Sequence, residues 1–302
     1  MSSTTQVSEG INFPLADGIY FGLPEEVYFA DPALSRSSFK QLIESPYEYW
    51  LDSDMNPNWK PRVENKQGVL GAAKVLGRAF HALLFEPAEF NKRFQVIPGD
   101  TYDHSRATID AVQYRLMKEA IAVIHNLPDS DVFMQRGYAE VTVVWTDATT
   151  GLRFKTRHDY FTVFATIDYK TTRSLNDDQL RYDLKRYGYL MQDWFYLEAR
   201  REIRKLILAR KAGVWGCDDD AFIHAFLKEP EDFFVFIFQK KDVPFAARTM
   251  KLDEESIDKG RVDCERAVDI YLANKKRYGT KMWPGGANGL EEFSAVYGSS
   301  SY

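Results

Sequence analysis

The sequence predicts an α+β fold, with a central mixed sheet of about five strands flanked by helices. Runs rich in aromatic and β-branched residues at 139–145, 154–161, 164–172, 233–239 and 245–252 carry the strand signal. Stretches 77–85, 107–126, 177–210 and 253–277 place apolar residues at helical spacing. The chain is 302 residues long, 45% hydrophobic and 15% aromatic, enough for one large core or two smaller ones and too apolar for a disordered chain.

Taken in order, residues 1–16 read as a flexible leader, with neither the basic nor the apolar region of a secretory signal. Residues 17–297 read as a single domain, because no internal repeat or clear linker divides them. A short strand and turn at 17–28 precede a helix that starts near Leu34, capped by Ser35 or Ser37, and is interrupted at Ser45-Pro46. Tyr47, Tyr49 and Trp50 form an aromatic cluster, and 52–67, with Pro57 and Pro61, reads as a loop. Helix 77–85 carries Ala79, Phe80, Leu83 and Leu84 on its packing side and ends at Glu86-Pro87. Helix 107–126 follows. The long helix from Asp177 towards Arg210 is expected to bend near Gly188, and Asp253 or Glu254 caps the last one.

No apolar run approaches the roughly 18 residues that a membrane span needs. Cys217 and Cys264 are the two cysteines, which excludes a four-cysteine iron–sulfur cluster or zinc knuckle within one chain and fits a reducing, cytosolic compartment. A net charge of −5 argues against a general nucleic-acid coat protein. It leaves room for an enzyme with a local basic channel. Arg153, Lys155 and Arg157 alternate along one strand face and are expected to steer a polyanion. Arg181, Lys185 and Arg186, then Arg200, Arg201, Arg204 and Lys205, lie on helices, and for the second group a solvated helix face is the expectation.

The chemistry concentrates in 157–171. Asp159, Asp168 and Lys170 lie within 12 residues, in a segment that reads as a β-hairpin turning near Val163-Phe164. Asp159 and Asp168 are equally far from the turn and so fall opposite one another. Directly opposed carboxylates repel, and a protein gains nothing structurally from them unless a cation bridges the pair. Asp168 and Lys170 share one strand face, whereas Ile167, Tyr169 and Thr171 share the other. Two acids and an ammonium on one spot suit hydrolysis of a phosphodiester with a hard divalent metal. An exposed strand face bearing Asp and Lys for solubility accounts for the hairpin equally well when it is taken alone.

Further signals join it. Gln192 and Tyr196 project from one helix face, where an amide and a phenol can orient a phosphate or hold the lysine. His81 sits one turn after Gly77, whose missing side chain lets a backbone or nucleic acid approach. Glu140 opens the strand before the hairpin, either as a third acid near the metal or as a strand-edge charge.

Together these residues resemble the PD-(D/E)xK nuclease superfamily, specifically its exonuclease VIII (RecE-like) branch, related to RecB-type nuclease domains. The resemblance runs through Gly18-Ile19-Tyr20, Leu34-Ser35-Arg36-Ser37, Ser45-Pro46-Tyr47-Glu48-Tyr49-Trp50, 77–84 with Glu86-Pro87, and Arg157-His158-Asp159. It continues through Ile167-Asp168-Tyr169-Lys170-Thr171-Thr172, Tyr187-Gly188-Tyr189, Gln192, Tyr196 and Trp283-Pro284-Gly285. It implies that 17–297 is one exonuclease-like domain with a restriction-endonuclease-like core. Asp159, Asp168 and His81 would ligate the metal, with the carbonyl of Tyr169 completing the shell. Lys170 would activate water or stabilise charge on the phosphate, and Gln192 and Tyr196 would shape the site and help hold the DNA. Imidazole among the ligands implies Mg²⁺ with Mn²⁺ substituting well. Where the family has a small aliphatic residue, this chain has Tyr169.

By resemblance the activity is a DNA exonuclease, 5′→3′ on linear double-stranded DNA, leaving 3′ single-stranded tails for annealing-type recombination. A bacterial or phage-infected cytoplasm, double-stranded DNA ends, a RecT-like single-strand annealing protein and a homo-oligomeric ring are the implied setting and partners. A RecB-like single-strand nuclease and an inactive DNA- or nuclease-binding inhibitor are the alternatives.

Overall fold

The computed structural model describes residues 13–60 and 72–285. The expected leader up to residue 12, the expected loop beyond residue 60 and the expected domain end at 286–297 lie outside the described residues.

The chain begins with β1 (Gly18–Tyr20), α1 (Glu25–Ala30), α2 (Arg36–Glu44), α3 (Pro46–Leu51), α4 (Ala72–Phe85) and α5 (Pro87–Arg93). There follow β2 (Phe94–Ile97), β3 (Ala107–Asp110), α6 (Ala111–His125), α7 (Ser130–Phe133), β4 (Gly137–Thr146), β5 (Arg153–Thr162) and β6 (Ala165–Thr172). The remainder is α8 (Asp177–Arg186), α9 (Tyr189–Leu208), β7 (Gly213–Trp215), α10 (Asp220–Lys228), β8 (Phe233–Lys240), β9 (Ala247–Met250) and α11 (Glu254–Tyr278).

The fold is α+β around a mixed sheet of seven strands in the order β7-β1-β4-β5-β6-β8-β9, rather than the five expected. Beyond the five runs lie β1, within the short strand expected at 17–28, and β7, which are three residues each and pair with one another in parallel. The centre is an antiparallel meander, β4–β5–β6. β8 then lies parallel to β6, with Ile167 opposite Val235 and Thr171 opposite Gln239. A parallel neighbour needs a crossover, and α8 and α9 supply it.

Three element boundaries differ from the sequence reading. The helix expected from residue 107 begins at Ala111, because Asp110 accepts from the amides of Val112 (2.8 Å) and Gln113 (3.3 Å) and caps it. Residues 107–110 instead form β3, paired in parallel with β2 in a separate two-stranded sheet. The long helix expected from Asp177 is two helices, since Gly188 between them takes φ 69°, a left-handed conformation that glycine adopts without a Cβ penalty. The last strand is shorter than the expected 245–252, because the Phe245 amide closes a turn onto the Asp242 carbonyl.

The described residues form two compact units. The larger contains the residues up to Arg36 and from Pro61 to Cys264; the smaller contains Ser37–Lys60 and the chain from Glu265 on. In the larger unit α4 and α6 cover one sheet face, burying Phe80, Phe85, Ile121 and Ile124 with Ala165, Ile167 and Ile237. The opposite face meets α9 and α10, where Phe195 contacts Trp145 and Phe154, and Phe226 contacts Phe161. In the smaller unit Tyr49 packs edge-on to Tyr271 and against Trp283, whose indole donates to the Gly279 carbonyl at 3.0 Å. Trp283 of the Trp283-Pro284-Gly285 motif is thus part of that unit's core.

Candidate active site

The β5–β6 turn is pinned from below. Arg200, fully buried on α9, donates to the carbonyls of Thr162, Val163 and Ala165 and to Asp232. Arg204 reaches the same Asp232. These two cations were expected on a solvated face; they are structural because the turn presents three carbonyls to the sheet interior. Arg201 and Lys205 do lie outside, paired with Glu198 and Glu202.

From the turn the two strands pair only as far as Tyr160 with Ile167. The next residues in that register are Asp159 and Asp168. On the other side of β5, Ala139 pairs with Tyr160 and Val141 with His158, which leaves Glu140 alongside Asp159. Glu140 has φ 55°, a left-handed conformation that is strained in a residue with a side chain. The alternation of faces shifts across this point. His158 packs on Tyr196 of α9, Tyr160 stacks on Phe85 of α4, and Phe161 returns to the α10 side against Phe226. Glu140 and Asp159 therefore meet where regular pairing is interrupted, with Asp168 next in register on the adjacent strand.

Helix α4 brings the histidine. Phe80 stacks on Tyr169 at 4.5 Å, and the His81 ring stands edge-on to the same tyrosine. The Tyr169 hydroxyl donates to Gln239 Oε1 at 3.1 Å and locks the ring in the core. His81 Nδ1 comes within 3.7 Å of Asp159 Oδ2. His81, Glu140 and Asp159 present ligand atoms that all lie within 4.8 Å of one another, a group with metal-binding spacing. Gly77 leaves open space beside the helix.

Asp168 and Lys170 face α9, as the strand period predicts. Lys170 Nζ forms an ion pair with Asp168 Oδ2 and sits over the Tyr189 ring, 5.0 Å from its centre. Gln192 Nε2 donates to Asp168 Oδ1 at 2.6 Å. Gln192 thus holds the acid rather than the lysine. The Tyr196 ring lies against His158 and Phe234. His158, from the Arg-His-Asp triplet, is fully buried between Thr156 and Thr166, and burial pushes its imidazole well below the usual value, so it is neutral.

The strand cations are not a steering surface. Lys155 is buried, with Nζ on the carbonyls of Tyr28 and Asp31, and Arg153 pairs with Asp31. Arg157 binds Glu140 and the Leu23 carbonyl. The segment around α1 lies over this side of β5, and its carbonyls take up the cations.

The site fits a divalent cation. Burial, and then the charge of Asp168, lift the Asp159 carboxyl to about 7. Asp168 Oδ2 is buried, and the Lys170 ammonium is its partner among the described residues. Carboxylates held together against their own repulsion, with one imidazole, form a donor set for a hard to borderline divalent ion.

Two neighbours have no role assigned from the sequence, although Tyr189 belongs to the Tyr187-Gly188-Tyr189 motif. Tyr189 supports Lys170, and Asp193, next to Gln192, is buried with neither oxygen hydrogen-bonded. Burial raises its carboxyl to about 8. Only the position of α9 against the sheet makes either visible.

An Asp pair, a lysine two residues after the second acid and a supporting helix on a mixed sheet define the PD-(D/E)xK class. The family model described as a PDDEXK-like domain of unknown function (DUF3799) matches residues 35–208, more than half of the chain, and the protein belongs to that family. Membership in the class supports a nuclease. No curated protein matches the chain. Among solved structures, a protein from Eubacterium rectale named "putative exonuclease" is similar, with 16% identity, coverage of 80% of this chain and 82% of that one, and a TM-score of 0.48. Among the described residues, no helix is long and apolar enough to cross a membrane.

Proposed function

We propose that the protein is a metal-dependent exodeoxyribonuclease of the RecE-like kind. It would degrade one strand of linear double-stranded DNA from a 5′ end and leave 3′ single-stranded tails. The observation that supports the nuclease reading is the His81, Glu140 and Asp159 cluster where the β5–β6 ladder ends, next in register to Asp168, which pairs with Lys170. The polarity, the recombination role, the RecT-like partner and the ring assembly rest on the motif resemblance.

In this reading His81, Asp159, Asp168 and the Tyr169 carbonyl hold Mg²⁺, with Mn²⁺ as a good substitute and Glu140 beside them. The ion supplies Lewis acidity towards a phosphoryl oxygen and lowers the pKa of bound water. Lys170, close to the acids and solvent-accessible on one side, orients the attacking water or stabilises charge on the phosphate. Gln192 fixes the Asp168 rotamer, and Tyr196 closes the floor behind it.

The test is digestion of linear duplex DNA labelled at the 5′ or the 3′ end, with Mg²⁺, Mn²⁺ or EDTA, for wild type and Lys170→Ala. Early release of 5′ label as mononucleotide, abolished by EDTA and by Lys170→Ala, is the expected result. Release of 3′ label first would reverse the polarity. No metal-dependent cleavage of any linear DNA would overturn the nuclease reading.

A further inference from the structure

We propose that a groove beside the active site binds a single-stranded stretch of nucleic acid leading to or from Lys170. This rests on the nuclease reading and extends it to a substrate subsite. The groove has a volume of about 390 Å³ and is lined by Thr171, Arg173, Tyr182, Asp183, Tyr187 and Lys241, among others. It begins one residue beyond Lys170 on the same strand.

The parallel register sets Thr172 beside Lys240, so Arg173 and Lys241 follow directly at the carboxyl ends of β6 and β8. Crevices outside the carboxyl ends of parallel strands are where ligands bind in open sheets with helical crossovers. Both cations are exposed, and neither has a carboxylate partner among the described residues. Three neighbouring acids are engaged by other groups, and Asp242 follows Lys241 in the turn. Asp183 is buried and accepts from Thr172 and Gln179. Asp177 pairs with Arg248 and Arg181, and Asp178 pairs with Arg181. The groove thus offers two cations outside any ion pair, beside the Asp183 carboxylate, on a protein whose net charge is −5.

Two large rings stand open beside these cations: Tyr182 is 59% exposed and Tyr187 49%. Tyr187 lies 5.6 Å from Tyr189, and Tyr189 lies under Lys170. Arg36 holds the Tyr187 carbonyl at 3.2 Å. A continuous aromatic path therefore leads from the lysine to the groove. Exposed rings interleaved with unpaired cations suit bases and phosphates together, and stacking on rings is tolerant of sequence. A mononucleotide would need only one ring; two rings and two cations lining one groove fit a strand.

The test is fluorescence anisotropy of a 5′-fluorescein oligothymidylate with the full chain in EDTA, so that binding is read without cleavage. Arg173→Ala/Lys241→Ala is expected to weaken binding roughly tenfold and to reduce the salt slope by about 1.4, from about 0.7 for each of two phosphate contacts on a single strand. Tyr182→Leu/Tyr187→Leu is expected to weaken binding roughly tenfold with the slope unchanged, while the Phe variants retain affinity. Circular dichroism checks that each variant is folded. Wild-type affinity in both double variants, or no binding by wild type, would overturn the proposal. Groove-dependent binding by a protein that cleaves no DNA would leave this inference standing and remove the nuclease reading. Cleavage without groove-dependent binding would do the reverse.

Discussion

Gln192 and Asp168, 24 residues apart, are joined by a 2.6 Å hydrogen bond that ties helix α9 to strand β6 inside the sheet's covered face. The amide has no alternative partner for its carbonyl oxygen, which is buried and unbonded. Gln192 is thus held for what its nitrogen does to Asp168. Replacing it with Leu leaves Asp168 Oδ1 without its donor, and a buried acceptor left unpaired costs about 1–3 kcal/mol. Urea denaturation of Gln192→Leu should show that loss, and Gln192→Glu, which sets a second carboxylate against the first, should lose more. Unchanged midpoints in both variants would show that the bond contributes nothing.

Glu140 should reverse the usual ranking of substitutions. At φ 55° a Cβ is strained, so Glu140→Gly should be more stable than Glu140→Ala by about 1 kcal/mol. In ordinary strand positions glycine is the worse residue. A parallel thermal titration with MnCl₂ reads the carboxylate's other role. Wild type gains stability by mass action, and Glu140→Gln should need more Mn²⁺ for the same gain.

Asp193 predicts a pH dependence. Burial lifts its carboxyl from 3.8 to about 8, so the folded protein retains a proton that the unfolded chain has released. The stability attached to this group is full below about pH 4 and declines as pH rises towards 8. Asp193→Asn removes the ionisation at nearly constant shape. Its melting temperature should exceed wild type by about 3 °C or more at pH 8, with the gap narrowing as the pH falls to 5. Parallel pH profiles for the two proteins would sink the idea.

Arg200 is the buried cation whose loss should be felt most. Removing one partner of a buried ion pair costs about 3–5 kcal/mol, because the other charge is left uncompensated. Arg200→Leu strands Asp232 and three turn carbonyls together, although Arg204 remains on Asp232. Guanidinium unfolding should place the variant in that range. Arg200→Lys should recover only part, since an ammonium cannot reach all four acceptors in one plane.

Much of the site was legible because it is local. A two-residue strand period puts Asp168 and Lys170 on one side and Tyr169 on the other, and the contacts to α9 and α4 agree. A hairpin turn near Val163 sets Asp159 level with Asp168 by counting alone. The fold class followed from where strand and helix periods alternate. A strand of three residues carries no period, so β7 was not legible, whereas β1 falls within the short strand and turn expected at 17–28.

What the sequence by itself determined, then, was the hairpin, the face of each residue along β6, and the helices that carry His81 and Gln192. Tertiary structure alone decided which cations are spent and which are free. Arg153, Lys155 and Arg157 look from spacing like a basic stripe, yet the segment around α1 lies over them and uses their donors. Arg173 and Lys241 are 68 positions apart and stand together because β6 and β8 pair in parallel. The interrupted pairing at Glu140 and Asp159 belongs to the same category. Charge and strain depend on what lies opposite a residue in space, and local periodicity reports only which way it points.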